Sequence, residues 1–310
     1  MPALHGPALV TGSSGFLGGH LVARLIRDGC EVTGLDFVAP RTPRAAEMRD
    51  LRVDVRDADA VRHAVLDTKP EVVYHLAAQA SVSVSMREPE VDIETNVLGS
   101  IHLMRAAIEA GTKRFVFIST GGALFGEPPV VPVTEEMPPA PESIYGASKL
   151  AAERYLRLLA QPAGVELSVV RPGNIYGPAQ DPHGEAGVVA IFALRMLAND
   201  AVTIFGDGTQ QRDYVYVEDV VEATVRAATD TPATCLVGTG IGTTTQEIFD
   251  RLARFCGYER AVQYGAERPG DIQRITLDAS RARAEWGWEP QVDLDTGMAA
   301  TVSWFRESSA

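Results

Sequence analysis

The stretch SIYGASKLAAERYL, residues 143–156, sets a phenol and an ammonium four residues apart, at Tyr145 and Lys149. The pattern reads as an amphipathic helix capped by Ser143, and i,i+4 spacing stacks both side chains on one face. A free phenol, with a pKa of about 10, is a poor base at neutral pH. A neighbouring lysine, the helix N-terminus and a positively charged pyridinium would each favour the phenolate, and the lysine would also reach the ribose of such a cofactor. A solvated surface pair is the plainer alternative at this spacing.

A second constellation suits a dinucleotide. TGSSGFLG (11–18) carries Gly12, Gly15 and Gly18 between an apolar run and a helical pattern opened by Phe16 and Leu17. Phosphates need close backbone approach and free N–H groups at a helix start, which glycines permit. Glycine triplets also serve as plain turn punctuation, so the context matters. Asp36 closes the next apolar run, 24 residues after Gly12. A carboxylate there accepts ribose hydroxyls and repels a 2′-phosphate, which predicts NAD rather than NADP. Asp54, followed by Val55 in RVDVRD, is placed to reach an adenine or, alternatively, to cap a helix.

The elements that must position these groups follow from periodicity. Strands are expected at 8–10, 31–36, 52–55, 71–77, 114–120 and 166–172, with helices near 57–67, 90–110 and 144–160. Such alternation predicts an α/β chain with a parallel sheet covered on both faces. After Pro172 come a loop, an apolar helix at about 186–198 and a strand at 202–206. RDYVYVEDVVEATVRAA and TCLVG then read as a helix and a strand that rejoin the main sheet. Residues 243–310 are mostly helical, and Trp286, Trp288 and Trp304 are expected in the core.

Composition limits the partners. The 310-residue chain is 45% hydrophobic with a net charge of -13, which argues against nucleic acid or an anionic membrane surface. Three cysteines without CxxC spacing and six scattered histidines predict neither a disulfide framework nor a metal site. No basic leader precedes the first strand, and the longest apolar run is interrupted by Arg195; a soluble, cytoplasmic protein is expected.

Together the motifs resemble a family. VYHLAAQASV, NVLGS, FISTGGALFGE, YGASK, RPGNIYGP, GDGTQQRDYVYVEDV and RPGDIQRITLDASRARAEWGWEP, with the glycine turn, run in order through nearly the whole chain. They are similar to the extended short-chain dehydrogenases/reductases, within them to the nucleotide-sugar epimerases and dehydratases, and most to the bacterial UDP-glucose 4-epimerase branch. The resemblance implies a Rossmann-type doubly wound sheet (1–173 plus about 213–242). It also implies a smaller, mainly helical C-terminal substrate lobe (about 174–212 plus 243–310), and a homodimer. Tyr145 would be the acid/base, with Lys149 and Thr120 beside it. NAD would be lined by Val55, Leu76, Ala77, Ala78, Asn96, Ser119 and Pro172, besides the glycine turn and Asp36. A UDP-sugar would meet Asn174, Val189, Thr203, Phe205, Arg212, Arg268 and Asp271. Two arginines on separate loops suit a diphosphate, although each alone reads equally as a surface ion pair.

One departure bears on mechanism. Family epimerases place a serine or threonine five residues before the glycine of a YG turn, and counting back from Gly126 gives Gly121. Either a small backbone shift brings Thr120 into that hydroxyl's role, which is the expectation, or Tyr145 works with less help. Dehydratases carry an Asp-Glu pair here and decarboxylases a glutamate; this chain has Gly121, Gly122 and Ala123. The resemblance therefore implies 4-epimerisation through a transient 4-keto sugar. Alternatives are another NAD-dependent nucleotide-sugar reductase, dehydratase or decarboxylase, or a non-catalytic dinucleotide-binding regulator. Ile275, at the position that gates for an N-acetyl group, leaves glucose, N-acetylglucosamine and glucuronate open.

Overall fold

A computed structural model describes residues 6–39, 48–182, 187–267 and 272–308. The first half builds the sheet and its covering helices: β1 (Ala8–Thr11), α1 (Phe16–Arg27), β2 (Val32–Asp36), β3 (Arg49–Arg52), α2 (Ala58–Thr68) and β4 (Val72–His75). Short helices α3 (Val82–Arg87) and α4 (Pro89–Asp92), a π-helical turn (Ile93–Leu98), α5 (Gly99–Ala110), β5 (Arg114–Ile118), α6 (Ile144–Ala163) and β6 (Glu166–Pro172) follow. The second half contains β7 (Asn174–Tyr176), α7 (Val188–Leu197), β8 (Thr203–Phe205), β9 (Gln211–Tyr216), α8 (Val217–Thr229) and β10 (Thr234–Val237). It ends with β11 (Gly242–Thr244), α9 (Thr245–Cys256), β12 (Gln263–Gly265), α10 (Ser280–Trp286) and α11 (Leu294–Ser308).

Seven strands form one parallel sheet in the order β10-β6-β5-β4-β1-β2-β3. This is the doubly wound, Rossmann-type arrangement, in which strand order reverses beside β1 and leaves a crevice at the strands' carboxyl ends. Strand residues that are apolar on both sides meet a core on each face. Leu21, Val22 and Leu25 of α1 pack with Val221 of α8 and Trp286 on one side. Leu103 of α5 and Leu156 of α6 pack with Phe115 and Phe117 on the other. A third core joins Val189 and Phe192 of α7, Ile248 and Leu252 of α9, and Val302 and Phe305 of α11. This is the smaller, mainly helical part, with short sheets β11-β9-β7 and β12-β8 beside it.

Five expectations are corrected. The third strand ends at Arg52 rather than spanning 52–55, because its partner β2 ends at Asp36, opposite Arg52. A turn with Asp57 N bonded to Asp54 O then leads to α2, which Asp57 caps through Ala60 N, so Asp54 is not the cap. The helix at 90–110 is interrupted by the π turn. Residues 211–216 form a strand, held between β7 and β11, before α8 begins. Trp286 and Trp288 are buried, whereas Trp304 is half-buried on the third core.

Candidate active site

The crevice opens as a cavity of about 1670 Å³, from the glycine turn past the end of β2 to Asn174 and Arg212. At one end, Gly12 has φ +69, and a Cβ there would stand 2.7 Å from Ala77 N. A Cβ on Gly18 would stand 2.0 Å from Gly12 O, so α1 sits directly on the turn. Gly15 is the N-cap of α1, with no side-chain cap and no acidic residue in the first turn. Its leading N–H groups and dipole are thus left for an anion. Asp36 is buried; one carboxylate oxygen accepts from Ser14 N (3.0 Å) and the other from Val38 N (3.2 Å). These features fit a dinucleotide: a backbone cradle for phosphates and an acceptor at the ribose position.

A chain of hydrogen bonds fixes the switch point. Ala77 N donates to Thr11 Oγ1 (3.2 Å), which lies 2.7 Å from His75 Nδ1; His75 Nε2 lies 2.8 Å from Ser100 Oγ, which donates to Asn96 O (2.6 Å). The two end groups set the direction: Thr11 donates to Nδ1, and Nε2–H donates to Ser100. Burial holds His75 neutral, with its pKa lowered to about 3.

Tyr145 and Lys149 lie one turn apart on α6, both lining the cavity. Ser143 caps the helix through Gly146 N (3.1 Å), and Ser85 Oγ accepts from Tyr145 N (3.0 Å). Lys149 is 2% exposed, which excludes the solvated-pair reading; its Nζ stands 4.2 Å over the Phe117 ring. Burial lowers its pKa to about 7, against the pull of Glu153 and Asp92. Burial pushes the Tyr145 phenol up to about 12, Asp92 adds to the rise, and a hydrogen bond with Thr120 opposes it. These surroundings therefore raise the phenol, and the depression expected from the sequence rests on the pyridinium as well.

Thr120 and Ser119 differ in what they face. Thr120 meets the phenol, and its Oγ1 accepts from Ala123 N (3.3 Å). Ser119 donates to buried Glu153 (2.5 Å), which also receives both arms of Arg171 (2.9 and 2.6 Å). Gly121 has no room for a hydroxyl: its Cβ would stand 2.5 Å from Leu277 Cδ1 and 2.9 Å from Arg171 O.

The cavity brings together Gly12, Gly15, Phe16, Leu17, Gly18, Asp36, Asp54, Val55, Leu76, Ala77, Ala78, Ser119, Thr120, Tyr145, Lys149, Pro172, Asn174 and Arg212. Asn96 is buried behind it, its amide bonded to Gln79 O, Asp92 and Ser148 (2.9, 3.0 and 3.2 Å) and its oxygen to Gln79 N (2.9 Å). Asn96 braces the wall instead of lining it. Val189 is buried in the third core, and Thr203 and Phe205 lie on β8, outside the lining. Ile275 is likewise core, packed with Leu124, Phe125 and Leu277. Arg268 and Asp271 lie outside the described residues. Asp54 is held by Arg56 (2.6 Å), whose hydrogen bonds keep its carboxyl below the usual range. Arg56, Phe37 and His20 also line the cavity and were not expected. Among the described residues no His/Cys/Asp/Glu cluster could hold a metal ion, and no helix is long and apolar enough to cross a membrane.

Comparison with known proteins agrees with this geometry. The model of the NAD dependent epimerase/dehydratase family matches residues 8–237. The chain is 44% identical to the UDP-glucose 4-epimerase of Mycolicibacterium smegmatis, over 97% of this chain and 99% of that one. The crystal structure of a Thermotoga maritima UDP-glucose 4-epimerase with UDP-glucose superposes with a TM-score of 0.95 at 42% identity, covering 98% of this chain and all of that one. A Thermus thermophilus UDP-glucose 4-epimerase complexed with NAD gives 0.92 at 44%, covering 97% and 99%. The chain belongs to the NAD dependent epimerase/dehydratase family.

Proposed function

We infer that this protein is a NAD-dependent UDP-hexose 4-epimerase that interconverts UDP-glucose and UDP-galactose. The observation that carries this reading is the cavity-lining Tyr145–Lys149 pair, its lysine buried and Thr120 on its phenol, where residues 120–123 carry no carboxylate. Elimination of water needs a separate acid and base, and that strand end offers neither. Relatives matched over their full length and named UDP-glucose 4-epimerase support the substrate.

The glycine turn, Asp36 and Lys149 would hold NAD, which when bound supplies the hydride acceptor at the sugar's C4 and a positive charge beside the phenol. Tyr145 Oη would take the proton of the sugar 4-hydroxyl and later return it. Thr120 Oγ1 would bond the same sugar oxygen and relay that proton. Arg212 and Asn174 would address the diphosphate, since a guanidinium fork matches its oxygens. A cytoplasmic homodimer is part of the reading. Exposed Tyr155 and Leu158 on the outer face of α6 support self-association, and three free cysteines suit a reducing compartment.

The test is product analysis of the purified protein with UDP-glucose. UDP-galactose should form without net NADH release, and Arg212→Ala should weaken UDP binding by roughly tenfold or more. Net NADH release, or no conversion of any UDP-hexose, would overturn the reading.

A further inference from the structure

His20 lines the cavity but has no part in the chemistry above. It lies one turn beyond Phe16 on α1, its ring edge-on to the Phe16 ring at 5.6 Å. Its Nδ1 is 2.8 Å from Glu218 Oε1 on α8, and its Nε2 is 2.8 Å from the Pro178 carbonyl oxygen. A backbone carbonyl can only accept, and so can an ionised carboxylate. A neutral imidazole has one N–H to give, so both contacts are satisfied only by the doubly protonated ring. Glu218 is ionised for its part: its bond to His20 holds its carboxyl below the usual range.

The two contacts join three separate stretches of chain. Pro178 begins the segment that leaves β7 for the smaller lobe, next to Ala179 at φ +65, a strained conformation for a residue with a Cβ. Ala179, Gln180 and Asp181 then line the cavity, with Gln180 tied back to Ile175 O (3.1 Å). Something must hold that segment in place, and the described side chain that reaches its Pro178 carbonyl is His20.

We propose that His20 is a positioning residue: as an imidazolium it latches the 177–182 segment to the glycine-turn helix and so sets the substrate-side wall of the cavity. The facing groups can be named. Glu218 on α8 bonds the ring directly, with Asp219 and Glu222 on the same helix; Arg24 and Arg27 on α1 act on Glu218. From the segment itself come the Pro178 carbonyl and one ionisable residue in the lining, Asp181. Burial works against the charge, but Glu218 and Pro178 outweigh it, and the His20 pKa lies above the usual 6.5. A raised pKa means the latch is complete below 6.5 and lost as pH rises through the folded-state value.

The proposal rests on the UDP-hexose reading for its kinetic arm but not for its spectroscopic one. In the purified protein, the His20 ring-proton resonance, identified by its loss in His20→Gln, should titrate with a midpoint above 6.5. That midpoint should fall in Glu218→Gln. KM for UDP-glucose should rise roughly tenfold as pH passes the midpoint, more than kcat falls, and Glu218→Gln should move that rise to lower pH. A His20 midpoint at or below 6.5 overturns the proposal whatever the substrate. A KM profile identical in wild type and Glu218→Gln overturns it where UDP-glucose is turned over.

Discussion

Two groups of polar side chains share one inward face of α6, and they are built on opposite terms. Glu153 is saturated: both arms of Arg171 and the Ser119 hydroxyl converge on it at 2.5–2.9 Å. Lys149, one turn earlier, is equally withdrawn from water, and Tyr145, two turns earlier, is half-buried at the cavity wall, but neither is matched by such a set of charges. Lys149 rests on the Phe117 ring with its pKa lowered to about 7, and the phenol is raised to about 12. Burial with full pairing holds a fold together, whereas burial with partial pairing leaves protons that a substrate and cofactor can move. The helix period places the two regimes four residues apart.

Single substitutions can break this contrast. Tyr145→Phe should lower turnover by about 10²–10⁴-fold while the melting temperature stays within a degree or two, because only a hydroxyl is lost. Turnover within a few-fold of wild type would remove the phenol from the chemistry. Glu153→Ala should do the reverse first: it strands a buried guanidinium, and urea unfolding should show a loss of about 3–5 kcal/mol. An unchanged unfolding midpoint would mean that the Glu153 cluster is not a structural unit.

Lys149→Met sharpens the comparison further. A lysine with a folded pKa near 7 and an unfolded value near 10.5 destabilises the fold wherever the unfolded chain carries the charge. That cost is full below pH 7 and gone above about 10.5. The variant should therefore lose turnover yet be more stable than wild type at pH 7, with the gain vanishing by pH 10.5; a loss of stability at pH 7 would contradict the burial argument. The smallest effects separate the adjacent hydroxyls. Thr120→Val should slow turnover by about tenfold or more at unchanged stability. Ser119→Ala should cost about 1 kcal/mol of stability and leave the rate nearly intact. Near wild-type rates in both variants would show that Tyr145 works without a hydroxyl from this strand.

The legible parts of the molecule were those set by local period. Tyr145 and Lys149 could be placed because four residues make one helical turn, and Asp36 because an apolar run ended there. The Arg171–Glu153 pair was not legible, since the register of β6 against α6 decides it. Nor was His20, whose partners lie 158 and 198 residues away. The end of β3 was misread because RVDV alternates well beyond the reach of its partner strand. Val189, Thr203, Phe205 and Ile275 came from resemblance alone, and local packing draws Val189 and Ile275 into apolar cores.

The contact of Gly18 with Gly12 O bears on how this protein could change. With 2.0 Å from a would-be Cβ to a carbonyl oxygen, Gly18 can accept no side chain without moving α1 off the turn. Its geometry is written in main chain, and selection has almost no residue-level alphabet with which to edit it. Any drift in cofactor preference must therefore be negotiated at its rim, where the Asp36 carboxylate meets the exposed Phe37 and Arg56. A laboratory library aimed at new cofactors would be best spent there, with the glycines left untouched.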